Sequence, residues 1–124
     1  MANPNLNTAT TVSAVNNSVL LSTTAETQLV SNPAGSGKLM QIDGVWAANV
    51  SASSGSTITV TLYRNATNIA PAYRIASTVN IALNSTLGVI TKNNGVTLME
   101  GQSIYVNASV ANVLSVNCFY KEFS

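Results

Sequence analysis

An all-β fold, an antiparallel β-sandwich of jelly-roll-like or immunoglobulin-like form, is what this sequence predicts. Three observations carry that expectation. Apolar residues recur at every second position in run after run, the runs are short and separated by Gly, Asn and Ser clusters, and no segment sustains helical spacing.

Taken in order, residues 1 to 9, "MANPNLNTA", are polar, interrupted by Pro4, and without a usable period. They read as a flexible or partner-bound arm, with Asn3, Pro4, Asn5 and Leu6 as candidate partner contacts, ahead of a single domain over residues 10 to 124. "TVSAVNNSVLL", residues 11 to 21, is a weaker strand candidate, an entering strand or an extended pairing arm. In "LMQIDGVWAANV" the residues Met40, Ile42, Trp46, Ala48 and Val50 fall on one side, with Gln41, Asp43 and Asn49 on the other. That assigns Trp46 to the core and leaves Gly44 as an interruption of the row. "STITVTLYR" alternates Ile58, Val60 and Leu62 with Thr57, Thr59, Thr61 and Tyr63, and β-branched threonine suits a water-facing strand surface.

Further along, "RIASTVNIAL" groups Ile75, Val79, Ile81 and Leu83, "TLGVITK" offers Leu87 and Val89, and "SIYVNAS" pairs Ile104 with Val106. The last run carries Leu114, Val116, Cys118 and Tyr120. "SASSGS", "NNG" at Asn93 to Gly95, and "EGQS" at Glu100 to Ser103 punctuate these runs as turns.

Composition narrows the function classes. Charged residues make up 7% of the 124 and the formal net charge is +1, against about a quarter charged in ordinary soluble domains. So weak a field provides no footprint for nucleic acid or for an anionic membrane. With 46% apolar residues the chain still has enough to bury for a stable core. Little charge also means little repulsion between copies, which favours association. The amino terminus lacks the basic-then-apolar pattern of a signal peptide and no apolar run approaches a membrane span, so neither is expected.

"PAGSGKLM", residues 33 to 40, has the texture of a phosphate-binding loop. The Walker spacing G-x-x-x-x-G-K-[ST] requires a glycine where Asn32 stands and a hydroxyl where Leu39 stands. It also requires a following helix, whereas a strand pattern follows here. Asn32, Pro33, Gly35 and Gly37 therefore read as turn residues, and Lys38 as a solvated residue at the start of a strand.

Catalytic constellations are equally thin. Histidine is absent, which removes the usual neutral-pH base and the commonest transition-metal ligand. Glu26, Asp43, Glu100 and Glu122 are scattered and read as solvated turn and edge charges rather than as a convergent pair. The spacing of a calcium loop is missing. Cys118, the single cysteine, lies in phase with Leu114 and Val116 and reads as a buried structural thiol. Asn-x-Ser/Thr sequons begin at Asn16, Asn49, Asn65, Asn84 and Asn107, as the Asn, Ser and Thr content brings about by composition alone. No catalytic, cofactor or metal site is expected, and the chain reads as non-enzymatic. Tyr105 and Phe119 stand opposite their strands' apolar rows and are the candidates for an outer-face aromatic patch in mutual contact.

The stretches "KLMQIDGVWAANVSASSGSTITVTLYR", "STLGVITKNNGVTLMEGQSIYVNASVANVLSV" and "CFYKEFS" carry a likeness. Over residues 38 to 124 the chain resembles small structural proteins of tailed-bacteriophage particles, in which a "TVT..L" strand precedes an ending like "L.EGDSL.V.AS..N.L.V..SYEEIS". Here Gln102 replaces the acidic residue of that ending and "YKEFS" stands for "YEEIS". The resemblance implies a β-sandwich serving as an assembled virion part without catalysis, built in the cytoplasm of a bacterial host. It implies as partners the major capsid protein or neck and tail proteins, and a homo-oligomer, a trimer among the forms. A capsid decoration (cement) protein is the leading expectation, a neck, collar or tail accessory subunit the alternative, and a carbohydrate or host-surface binding module the more distant one.

Overall fold

The computed structural model describes residues 10–124, so the arm expected over residues 1 to 9, with Asn3, Pro4, Asn5 and Leu6, lies outside the described residues. The described residues form nine strands: β1 (Val12–Leu20), β2 (Thr27–Asn32), β3 (Leu39–Asn49), β4 (Ser56–Tyr63), β5 (Ala72–Ile81), β6 (Thr86–Ile90), β7 (Val96–Leu98), β8 (Gln102–Ala108) and β9 (Leu114–Phe123). Among the described residues the only helical element is a single 3₁₀ turn at Lys92–Asn94. Every pairing is antiparallel.

Two sheets result, ordered β1-β9-β3-β6 with β7 also on β3, and β2-β8-β4-β5. We refer to them as the front and back sheets. β6 and β7 occupy successive stretches of the same edge of β3 and count as one broken strand. The first strand then pairs with the last, the second with the next to last, the third with β6/β7, and β4 with β5. Successive pairs alternate between the sheets, which is a long antiparallel ribbon rolled up on itself, the jelly-roll form of the predicted sandwich. In an immunoglobulin-type sandwich the first two strands are neighbours in one sheet, whereas here β1 and β2 lie in different sheets.

Alternation is what makes the core. Ile58 and Val60 of β4, Ile104 and Val106 of β8, and Leu114, Val116 and Cys118 of β9 are fully buried between the sheets, with Leu21, Ile42, Val45, Ile81, Ile90 and Leu98. Each such aliphatic side chain contributes about 1.5–3 kcal/mol of burial free energy.

β3 departs from the predicted phase. Ile42 faces Tyr120 and Gly44 faces Phe119, leaving Asp43 as an extra residue, a β-bulge that reverses the alternation. Met40 and Ile42 point inward before it, Val45, Ala47 and Asn49 after it. Trp46, expected in the core, is therefore on the outer face and 41% exposed, and Val50 is likewise exposed. Asn49, expected outside, is buried. Its Nδ2 donates to the carbonyls of Ser54 (3.0 Å) and Ile81 (3.1 Å), and its Oδ1 accepts from Ser51 N (2.9 Å). In β5 a second irregularity between Ala76 and Val79 places Thr78 at φ 52°, and Leu83, just past the strand, is exposed rather than in the core row.

Candidate interaction surfaces

The back sheet's outer face is polar and closely knit. Thr59, Thr61 and Tyr63 of β4 and Ser103, Tyr105 and Asn107 of β8 share it, because their neighbours in sequence fill the core. Tyr105 is nearly buried there, set edge-on to Tyr63 with ring centroids 5.5 Å apart, and its hydroxyl donates to Gln28 Oε1 at 3.0 Å. The Tyr63 hydroxyl donates to the Glu26 carboxylate at 2.7 Å, and this bond, with burial second, holds the phenol above its ordinary pKa. The connection between β4 and β5 folds over the same face, where Ser31 Oγ donates to Ala66 O and Ser103 Oγ to Asn65 O. Beside it opens a groove of about 280 Å³ lined by Glu26, Thr59, Arg74, Ser77, Thr78 and Asn107. Arg74 Nη1 is turned to Thr61 Oγ1 at 2.7 Å.

The front sheet's outer face is different. Phe119 is 46% exposed and stands opposite Gly44 in register. The indole of Trp46 lies flat over two glycine positions, its Nε1 edge above Gly44 and its six-membered ring above Gly88. A Cβ at Gly88 would sit 2.7 Å from Cζ3. The glycines are what let an aromatic ring lie against the backbone. Val12 and Leu20 of β1 are exposed on the same face, and the charges near its centre, Lys121 and Asp43, neutralise one another at 3.3 Å.

The expected contact between Tyr105 and Phe119 is thus corrected. β8 belongs to the back sheet and β9 to the front, so the two side chains are on opposite outer faces with the core, about 10 Å thick, between them. Phe119 remains an exposed aromatic; Tyr105 is packed, and its outer-face company is Tyr63. Sequence alternation identifies which face of its own strand a residue occupies, but not to which sheet that strand belongs.

The acids are dispersed. Glu26 binds Tyr63, Asp43 pairs with Lys121, and Glu122 pairs with Lys38 at 3.0 Å, so Lys38 is an ion-pair partner rather than simply solvated. Among the described residues no group of His, Cys, Asp and Glu is arranged to hold a metal. Cys118 is buried as expected, and burial pushes its thiol up to about 12. Burial, with Glu122 second, also raises Tyr120.

The loop that mimics a phosphate site has its own occupant. Gly35 N and Gly37 N donate to the two Glu100 carboxylate oxygens at 3.2 and 3.1 Å, with both glycines at positive φ. It is an anion nest in form, and the anion comes from the turn between β7 and β8. Asn32, where the Walker pattern wants glycine, is completely buried. Its Nδ2 donates to Lys38 O (2.8 Å) and Leu98 O (3.1 Å), while Ser36 Oγ donates to its Oδ1. Turn chemistry pointed to an Asn at this place, but the bond to Leu98, a distant residue, has no local signal.

No protein-family model matches the chain, and no curated protein matches it significantly. Among the described residues no helix is long and apolar enough to cross a membrane.

Proposed function

We propose that this protein is a non-enzymatic structural component of a tailed-phage virion, a capsid decoration (cement) protein that binds the shell as a homo-oligomer. The observation that carries the structural part is the front face, where Trp46 and Phe119 stand exposed on a surface whose central charges cancel. Exposed aromatics on a charge-poor face are the composition of a protein contact. The phage setting rests on the resemblance over residues 38 to 124, and the jelly-roll order is one that viral capsid domains use. Many identical contacts on a repeating shell raise effective concentration, so a modest single-site affinity suffices to brace it.

Copy number in purified particles tests the reading. Copies in the hundreds fit a lattice, about a dozen fit the neck, collar or tail alternative, and none would end both. Phe119→Ser is expected to leave the domain folded and to lower incorporation.

The polar groove favours a second reading, a carbohydrate-binding module, because Glu26, Arg74 and Asn107 offer the acceptors and donors that sugar hydroxyls need. Lectin domains share the jelly-roll order as well. A glycan array without signal above background would remove this reading.

A further inference from the structure

Each sheet of an open sandwich has edges, and natural proteins blunt them with charge, bulges, proline or brevity. Three edges here are blunted. β5 carries Arg74 and is broken around Thr78, β2 has a register shift between Gln28 and Val30, and β6 has only five residues. β1 is not: "VSAVNNSVL" has no charge, no proline, and an unbroken nine-residue register with β9.

The hydrogen-bond phase of β1 is set at both ends. Thr11 exchanges two backbone bonds with Ser124, and Leu21 N donates to Leu114 O at 2.9 Å. In an antiparallel ladder such bonded pairs recur at every second residue. The odd-numbered residues therefore bond to β9, while Val12, Ala14, Asn16, Ser18 and Leu20 direct their N–H and C=O groups away from it, along an edge with which no described strand pairs. These same five residues have their side chains on the front face.

We propose that this edge pairs with the β1 edge of a second copy, about a two-fold axis at Asn16, joining two front sheets into one. The register that puts Asn16 opposite Asn16 of the second copy puts Val12 opposite Leu20 and Ala14 opposite Ser18. All five edge residues then fall in bonded pairs, and the front faces are continuous. The exposed apolar residues at the two ends, Val12 at 58% and Leu20 at 48%, meet each other. Small residues meet small ones between them, and the two Asn16 amides meet at the axis, where side chains can bond as a pair. The row apolar, small, Asn, small, apolar reads the same from either end, as an isologous contact requires. Neither strand carries charge to oppose the approach. A nine-residue edge spans about 30 Å, and alone it falls short of the roughly 800 Å² per partner of a standard interface, so the pairing is concentration-dependent. The inference deepens the homo-oligomer part of the reading above and rests on that part alone.

Cysteine placement in the full chain, with Cys118→Ala as background, tests the register. Across a bonded antiparallel pair the Cα atoms lie about 5.5 Å apart, inside the range of about 4.4–6.8 Å that a disulfide spans. Asn16→Cys alone should give a covalent dimer under mild oxidation. Ala14→Cys or Ser18→Cys alone should not, since each copy's residue sits about 13 Å from its own counterpart, while mixing those two variants should. Sedimentation velocity of the unmodified chain should show monomer passing to dimer with rising concentration. Asn16→Pro removes only an edge-facing N–H, so it should keep the melting temperature and lose the dimer; Asn16→Lys serves the same purpose if proline disturbs folding. A chain that stays monomeric at all concentrations, or cross-linking as efficient at Ala14 alone as at Asn16, overturns the pairing. Such a result would leave the virion reading standing, just as absence from particles would leave the dimer standing.

Discussion

Replacing Asn32 by alanine removes three side-chain hydrogen bonds from a fully buried position, two donated to the carbonyls of Lys38 and Leu98 and one accepted from Ser36. Each bond is worth about 0.5–1.5 kcal/mol net, and a buried carbonyl stripped of its donor costs about 1–3 kcal/mol. The backbone bond from Gly101 N to Asn32 O survives, so the turn is weakened rather than abolished. The expected loss is roughly 3 kcal/mol, which lowers the melting temperature by about 10–12 °C for a domain of this size. Thermal unfolding by circular dichroism, paired with urea titration, reads both quantities. Asn32→Asp should cost at least as much, because it exchanges a donor for lone pairs aimed at two carbonyls. A fall of less than about 3 °C for Asn32→Ala would refute the claim that this side chain holds β2, the 33–38 loop and β7 together. Completing the spelled motif, with Asn32→Gly and Leu39→Ser, should destabilise the fold and still leave calorimetry with ATP silent, since Glu100 already fills the nest.

Gly88→Ala should lift the Trp46 indole from the sheet, shifting emission of the single tryptophan to longer wavelength, at a stability cost of about 1–2 kcal/mol; unchanged emission would contradict the flat placement of the ring. Cys118 has a folded pKa raised above its unfolded one, so its contribution is fully present below about pH 9 and is lost as pH rises toward 12, an effect of up to about 4 kcal/mol. Unfolding free energies measured from pH 8 to 11 should fall less steeply for Cys118→Ala than for the unmodified chain, and parallel curves would count against it. Deleting residues 1 to 9 is expected to leave the melting temperature unchanged and to weaken incorporation into particles, and full incorporation would remove the arm from the reading.

The sandwich was legible because burial in a two-layer β fold writes itself into the chain at period two. β4, β8 and β9 follow that rule without interruption, so their inward rows stand plainly in the sequence. Beyond Gly44 the alternation in β3 misleads, because one extra residue, Asp43, inverts everything after it, and nothing in "IDGVW" distinguishes a bulge from a plain glycine break. For Tyr105 and Phe119 alternation gives the face of each strand and not that the two faces lie on opposite sides of the core, because sheet membership depends on pairings between residues far apart in sequence. Asn32 and Asn49 have the sequence signature of turn or polar surface residues, yet each is a buried bracket whose partners include carbonyls outside its own turn. The edge symmetry of β1 was invisible until the bond phase with β9 showed which five residues face outward.

The place of β9 in the front sheet bears on how the protein is made. It lies between β1 and β3, yet of the nine described strands it leaves the ribosome last. Until it arrives, β1 has no described partner in its sheet and β3 lacks one of its two neighbours, so the front sheet cannot close. Pairing of β9 is therefore the step that completes the front sheet. A copy cut short before residue 114 would lack the spine of its front sheet, and such a copy is one for proteases to clear.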